Sequence, residues 1–548
     1  MKKNYINIFI LVSLVTFTGC EDLEFLEEDP KTFYTADNIF TSATQVDQVL
    51  LTLYSDYRDF KLEPIMKGQG TDVLAVPEFR LGGNFSDYSQ ITPEHSRFSD
   101  VYNFYYQLIS TANTALFASE LESVTYSSEA ERLGVVAQAR FFRAFAHGML
   151  AELFGGVPIV TELTSEPRFD YVRATREETY QFAIDELEAI LNDLPVTTPQ
   201  DGRITRGAAQ HYLSEFYLGL GIESGNNALF TDAINYASDV IDGGTYSLMT
   251  TRFGSRAAEP GKDVWWDMFR VNNVNYSDGN TESIWTLQID FDAYLAGDRE
   301  SYLDYPRAYM PVYRAIPGVE GVAEDVGGRG VALHRPTYYV VDSIWDPSIS
   351  GNDQRNSEHN IRRTIIYNDP NFPDTFGETV PQDVIDETNE GFGWVYPIFE
   401  KLTTDQFIGL DQGQNRSNLF RDEYAVRLAE TILLRAEAYY RSGNSGLAAD
   451  DINMLRSRAQ CDYMATAGDV DIDFILDERA RELFIEENRW NTLLRMGGTV
   501  AVDRIRKYSL YEHTALTLTF NFNLWPIPQG VIDRNKDVKM AQNPGWGE

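Results

Sequence analysis

The sequence predicts a mainly α fold: tetratricopeptide-like helix pairs form a scaffold, and a large, loop-rich irregular insert carries short strands. Three observations predict it. Long stretches with apolar residues at helical spacing fill the first 249 residues and return from Tyr424. They close on strong stop signals, such as Gly155-Gly156 before Pro158, where glycine takes the left-handed turn and proline forbids resumption. Between the two helical halves, residues 250–414 are rich in Gly, Asn, Asp and aromatics and show few helical periods.

The elements follow in order. Ser42–Phe60 is expected as a helix on the spacing of Val46, Val49, Leu50, Leu53 and Tyr57. Met66–Arg97 is broken by Gly68, Gly70, Pro77, Gly82, Gly83 and Pro93 and reads as loop, yet it carries Phe79, Phe85 and Tyr88, with Phe98 just after it. Aromatics on a long loop of a rigid scaffold are candidates for function. Ser99–Ser119 is helical, with Tyr102, Tyr106, Ile109, Asn113 and Leu116. The central helix lies in Val135–Glu162, VVAQARFFRAFAHGMLAELFGGVPIVTE, where apolar groups cover most of the wheel; such a helix is buried among others. Its Arg140, Arg143 and His147 share one narrow stripe, which predicts pairing with acids on neighbouring helices. Arg176–Leu194 is amphipathic and closed by Pro195; Thr205–Leu220 and Thr231–Ile241 make a further pair, stopped by Gly243-Gly244. Ile284–Ile289 reads as a strand within the insert. Helices return over Tyr424–Ser442, Gly446–Arg458 and Asp473–Met496, before a Pro-rich, extended tail.

Composition bounds the function. Apolar residues make up 43% of the 548 residues, which excludes global disorder. With 31 Tyr, 32 Phe and 8 Trp, the chain holds more aromatics than a core alone uses, so some are expected to face a ligand. The formal charge is −37, from 46 basic and 83 acidic residues. Such a surface repels phosphates at long range and excludes a nucleic-acid partner. No Lys/Arg run offers a local exception, and the same repulsion favours neutral over sulfated or uronic-acid ligands.

The start of the chain reads as an export signal. Lys2 and Lys3 precede an apolar run, Ile6–Phe17, that ends in Thr18-Gly19-Cys20. This resembles a bacterial lipobox, with Phe17 in the place of the usual leucine. The resemblance implies a signal peptide over 1–19, lipidation of Cys20 and an acidic tether over 20–32. Residues 33–548 are then expected as one domain, with the scaffold at about 33–249 and 415–548 and the insert at about 250–414.

Motifs for catalysis are missing: there is no HExxH, no GxSxG and no phosphate-binding glycine loop. Asp469, Asp471 and Asp473 have the spacing of a calcium loop, but Phe474 and Ala480 stand where a glycine and an acid are needed. Helix capping explains them better. Six scattered histidines make no metal site, Cys461 stands alone, and with 83 acids no carboxylate pair is singled out for hydrolysis. The aromatics are the better lead, because a sugar ring buries its C–H face on a flat aromatic while polar groups serve its rim. In the insert these are Trp265, Trp266, Tyr294, Tyr302, Tyr305 and Tyr309.

Several segments together resemble the SusD/RagB family of outer-membrane nutrient-binding lipoproteins. They are the lipobox with its acidic follow-on, Gln138–Glu162, Gly202–Leu218 (GRITRGAAQHYLSEFYL), Arg427–Ala438 (RLAETILLRAEA), Asp477–Gly497 (DERARELFIEENRWNTLLRMG) and Trp525–Trp546. They occur in the family's order across almost the whole chain. The resemblance implies a non-catalytic glycan-binding lipoprotein on the outer face of the outer membrane, without a cofactor. It would partner a SusC-like TonB-dependent transporter and pass an oligosaccharide to it. A peptide-binding member of the family, or a surface glycoside hydrolase, are the alternatives. By position, the loop before the helix that holds Asn113 supplies one ligand wall, nominating Arg80, Phe85, Tyr88 and Phe98. The insert supplies the other, nominating Trp265, Trp266, Tyr294, Tyr302 and Tyr305. Arg143, Arg427, Glu437, Arg481, Glu482, Arg489 and Trp490 match scaffold motifs and are assigned structural roles.

Overall fold

The computed structural model describes residues 39–76, 85–164, 166–198, 200–297, 301–320, 328–390, 393–408 and 418–547. The lipobox, Cys20 and the tether lie outside them, as does Arg80. Six helices come first among the described residues: α1 (Ala43–Lys61), α2 (Ser96–Ser119), α3 (Glu129–Phe154), α4 (Arg176–Ile190), α5 (Arg206–Ser224) and α6 (Ala228–Ile241). Each packs on the next, and α6 passes the stack on to α7 (Leu428–Arg441) and α8 (Ser445–Arg458). The helical array is therefore continuous in space although some 190 residues intervene between α6 and α7.

The central helix α3 is buried along about its last four turns, from Phe141 to Phe154. Gly155 caps it at φ 72°, and any side chain on Gly156 would collide with the carbonyl of Ala174. Its polar stripe pairs as expected. Arg140 and Arg143 both grip Glu186 of α4, at 2.7 and 2.6 Å, and Arg143 also donates to Asn113 of α2 at 3.0 Å. His147 is fully buried, and burial pushes its pKa down to about 4. Neutral, it lies 2.8 Å from the Arg143 carbonyl through Nδ1 and accepts the Val160 N–H at Nε2.

Two expected helices differ. Tyr424–Ser442 begins as a strand, β8 (Glu423–Arg427), and only then becomes α7. β8 pairs antiparallel with β2 (Ser283–Leu287), both strands fully buried. The apolar run there suits either period, and the waiting partner decides. Asp473–Met496 splits into α9 (Ile472–Leu483) and α10 (Arg489–Arg495), with Ile485 at φ 67° between them. The break turns two acids inward. Glu486 meets Arg427 and Lys401, each at 2.6 Å, and Glu487 meets Arg479 and Arg489 at 2.7 and 2.8 Å. A further helix, α11 (Val500–Tyr508), follows. Asp471 accepts the Phe474 N–H at 2.8 Å, the capping role expected for it.

These pairs belong to a buried ionic network between the scaffold and the insert. Arg427 reaches Glu482 and Glu486 at 2.6 Å each, and Arg458 reaches Glu282 at 2.6 Å. Arg355 of the insert binds Asp353, Glu478 and Glu482 at 2.6–2.8 Å. Arg481 and Arg456 share Glu478, Arg495 meets Glu437 at 2.9 Å, and Arg489 meets Asp72 at 2.6 Å. The scaffold residues singled out in the sequence are thus buried and paired, and Trp490 donates its indole N–H to the Gln69 carbonyl.

The insert has its own apolar core around Tyr294, Tyr305, Tyr309, Tyr339 and Trp345. It docks on Val73 and Leu74 from one side and on Phe484 and Ile485, at the break after α9, from the other. Among the described residues every sheet has two strands: β1 (Leu74–Ala75) with β3 (Arg335–Pro336), β2 with β8, β4 (Ile361–Arg362) with β5 (Ile398–Phe399), and β6 (Phe407–Ile408) with β7 (Asn418–Leu419).

Candidate functional site

The two walls nominated from sequence meet at the β1–β3 pair. Leu74 and Ala75 sit opposite Pro336 and Arg335, and Thr337 donates both its N–H and its hydroxyl to backbone carbonyls at Val73 and Asp72. The aromatics nominated on the first wall, however, do not face outward. Phe85, Tyr88 and Phe98 are at most 2% exposed. Phe85 packs on Trp490 and Trp525, and Phe98 on Trp525 and Trp546. Tyr88 donates to the Gly70 carbonyl at 2.9 Å. A Cβ on Gly70 would stand 2.3 Å from that of Phe85, so only glycine lets the loop close over this ring. Anchoring the loop to the C-terminal segment is what these rings do.

The insert aromatics are corrected in the same way. Tyr294 is buried, accepts from Asn418 at 2.9 Å and packs edge-on against Phe420. Tyr305 is buried against Tyr309. Tyr302 is half-buried, its ring 6.0 Å from Tyr294. Trp265 faces the ionic network, with Arg458, Arg427 and Lys401 at 5.0–5.4 Å from its ring. The aromatic count reflects a second core and the fastening of a long loop, as well as any ligand face.

The most exposed ring among the described residues was missed: Tyr338, at 59%, ahead of Phe376 and Phe372 at 54% and 43%. It follows β3 directly. Its neighbour Tyr339 points inward, where its hydroxyl lies 2.5 Å from Asp477 and beside Arg504, fixing the short helix Tyr338–Val341 to α9 and α11. Arg335 lies 5.4 Å from the Tyr338 ring and 5.6 Å from Tyr396. A side chain on Gly393 would clash with the Arg335 guanidinium at 2.1 Å. Arg335 is held by rings, and its buried Nε–H has no partner among the described residues. An exposed tyrosine with a guanidinium beside its ring suits the face of a sugar. The adjacent tyrosines in HRPTYYVV were the available signal, since neighbouring residues there point to opposite sides.

Trp266 is placed differently again. It lines a cleft of about 780 Å³ together with Arg256, Lys262, Arg270, Arg362 and Glu400, a volume typical of small-molecule sites. One side is the short helix Val264–Asp267, capped by Asp263, which accepts the Trp266 N–H at 2.9 Å. Asp263 also takes His359 at 2.7 Å and Asn360 at 2.9 Å. The other side is the β4–β5 pair, which brings Arg362 and Glu400 within 2.8 Å. The Trp266 ring is 3% exposed, with Arg270, Arg256 and Lys262 at 4.4, 4.7 and 4.8 Å from its centre. Covered by cations, it has no face left for stacking a sugar.

Comparison with known proteins places this geometry. The family model described as "SusD family" matches residues 281–546, and "Starch-binding associating with outer membrane" matches 24–218. SusD-like protein P2 of Formosa agariphila is 24% identical over the full length of both chains. A SusD homologue from Bacteroides thetaiotaomicron superposes with a TM-score of 0.70 at 18% identity, over 93% of this chain and 98% of that one. Surface glycan-binding protein A from the same organism, in complex with laminarihexaose, superposes with a TM-score of 0.64 at 17% identity, over 92% and 100%.

Proposed function

The chain belongs to the SusD/RagB family, and on that premise we propose that it is a non-catalytic glycan-binding lipoprotein of the cell surface. It captures an oligosaccharide or polysaccharide and passes it to a TonB-dependent outer-membrane transporter. The division into helical scaffold and insert, and anchoring through Cys20 on the extracellular side, belong to the same proposal. The observation that carries it is the Tyr338 ring, exposed beside the β1–β3 junction and braced by Arg335. Laminarihexaose bound to a relative of the same fold, and the starch-binding description of the family model, supply the ligand class. Tethering beside a transporter lets modest affinity suffice, because it raises effective concentration.

Isothermal titration against a panel of oligosaccharides tests the ligand. Tyr338→Ala should weaken binding about tenfold, the equivalent of one stacked ring, with the melting temperature unchanged. Equal affinity of the variant and the parent protein would remove Tyr338 from the site. Co-purification from outer membranes tests the partner, and Cys20→Ala should release the protein into the soluble fraction.

A further inference from the structure

The Trp266 cleft gathers positive charge in a chain whose net charge is −37. Arg256, Lys262, Arg270 and Arg362 line it against Glu358 and Glu400. What matters is how these cations are neutralised. Arg256 is paired with Glu259 and with Asp405, and Arg362 with Glu400 at 2.8 Å. Lys262 is half-buried and has no hydrogen bond and no carboxylate within 4.0 Å among the described residues. Arg270 is 3% exposed and bonds only the carbonyls of Trp266 and Glu400 and the Thr403 hydroxyl. Arg362 keeps a buried Nε–H with no partner among the described residues. Two cations with no carboxylate within 4.0 Å among the described residues therefore share one indole, and Arg362, paired to Glu400, faces them across the cleft.

Such a cluster is held in place but not neutralised. The indole ring attracts the cations without offering them an anion, and burial removes the water that would otherwise screen them. Burial, with Arg421 as the next cause, brings Arg270 down to about 10 against the pull of Glu400, and burial lowers Lys262 as well, with Glu400 and Glu259 acting against it and Arg270 and Arg362 with it. The missing component is an anion supplied from outside. Guanidinium and ammonium groups beside hydroxyls at Thr364 and Thr403 form the donor set that binds carboxylate or sulfate oxygens.

We infer that the Trp266 cleft is an oxyanion subsite, taking a carboxylate or a sulfate ester carried on a saccharide, so that the glycan is acidic. The inference rests on the glycan reading above and overturns the expectation, drawn from net charge, of a neutral ligand. Repulsion from the whole surface is screened beyond about 8–10 Å, and inside the cleft the local cations decide. No Lys/Arg run announces this patch because its members are far apart in sequence, at 256–270 and at 362.

The test uses the intact protein and three oligosaccharide probes in titration calorimetry: oligogalacturonate for carboxylate, carrageenan oligosaccharide for sulfate, and laminarihexaose as the neutral control. One acidic probe should bind at least tenfold more tightly than laminarihexaose, with affinity falling as salt rises, and which of the two does so identifies the oxyanion. Lys262→Met, and Lys262→Met with Arg362→Met, should each reduce that affinity tenfold or more and leave laminarihexaose binding unchanged. Neutral and acidic probes binding alike, or variants that keep the acidic affinity, would overturn the subsite while leaving glycan binding intact. Glucuronate and inorganic sulfate alone, followed by tryptophan fluorescence, separate the two readings. Quenching that depends on Lys262, without binding of any oligosaccharide, would keep the subsite and sink the glycan reading. Absence of quenching by either, with laminarihexaose still bound, would sink the subsite alone.

Discussion

The arginines between α7, α8, α9 and β8 and those around Trp266 are chemically alike and are surrounded by aromatic rings in both places. They differ in their partners. Arg427 and Arg458 lie 5.1 and 5.0 Å from the Trp265 ring, and each also reaches carboxylates directly. One residue along, Lys262 and Arg270 lie at similar distances from Trp266 and reach no carboxylate among the described residues. Adjacent tryptophans thus divide two regimes. On the Trp265 side the protein supplies its own anions and the cluster fastens scaffold to insert. On the Trp266 side Arg256 and Arg362 have acids of the protein, but Lys262 and Arg270 have none within 4.0 Å among the described residues. Identity of side chain says little about role; the census of opposite charge within reach says much more.

The largest effect expected from this contrast is on stability. Arg427→Met would leave Glu482 and Glu486 buried without one of the cations that each meets at 2.6 Å. Removing one member of a buried pair costs about 3–5 kcal/mol, so the urea midpoint should fall sharply. A midpoint within experimental error of the parent protein would show that the network is dispensable.

Acid is the next lever. Burial alone would raise the pKa of Glu478, but Arg456, Arg355 and Arg481 together outweigh it and hold the carboxyl down to about 2, against 4.5 unperturbed. A depressed folded pKa gives stability that is fully present above the unfolded value and is lost as pH falls toward the folded one. Glu478 should therefore contribute roughly 3 kcal/mol that disappears between about pH 4.5 and pH 2. Glu482 and Glu486 are depressed by neighbouring cations in the same sense. Urea titrations at pH 7, 5, 4 and 3 should show the loss beginning below pH 5, and constant stability across that series would contradict it.

The smallest effect sharpens the comparison most. Lys262→Met removes a cation that has no carboxylate within 4.0 Å among the described residues and feels the attraction of Glu400 and Glu259 as well as the repulsion of Arg270 and Arg362. Stability should change by no more than about 0.5 kcal/mol, because relief of repulsion offsets the lost contact with Trp266. A loss approaching that of Arg427→Met would place Lys262 in the structural class.

The scaffold was legible because periodicity and stop signals are local. Val46, Leu50 and Leu53 mark α1, and Gly155-Gly156 ends α3 within a residue of expectation. Local reading failed where a distant partner decided the outcome. β8 is a strand because β2 lies beside it, and the helix after Asp473 breaks because Glu486 and Glu487 turn toward arginines. The ligand face suffered most. Composition counted aromatics but could not say which way a ring points, so Phe85 and Tyr294 were nominated and Tyr338 was passed over. Trp266 lines a cleft, but its ring is covered by cations rather than presented for stacking.

The β2–β8 pair has a consequence for how such a chain can change. Ser283 and Arg427 are partners in the register, and the 135 residues between Leu287 and Glu423 form one long excursion that leaves and returns at a single buried ladder. The entropy of closing such an excursion rises only with the logarithm of its length, about 0.6 kcal/mol for each doubling. Residues can be gained, lost or exchanged within it at little thermodynamic penalty, while the helices on either side keep their neighbours. A neck of this kind separates inheritance of the frame from turnover of whatever the frame displays.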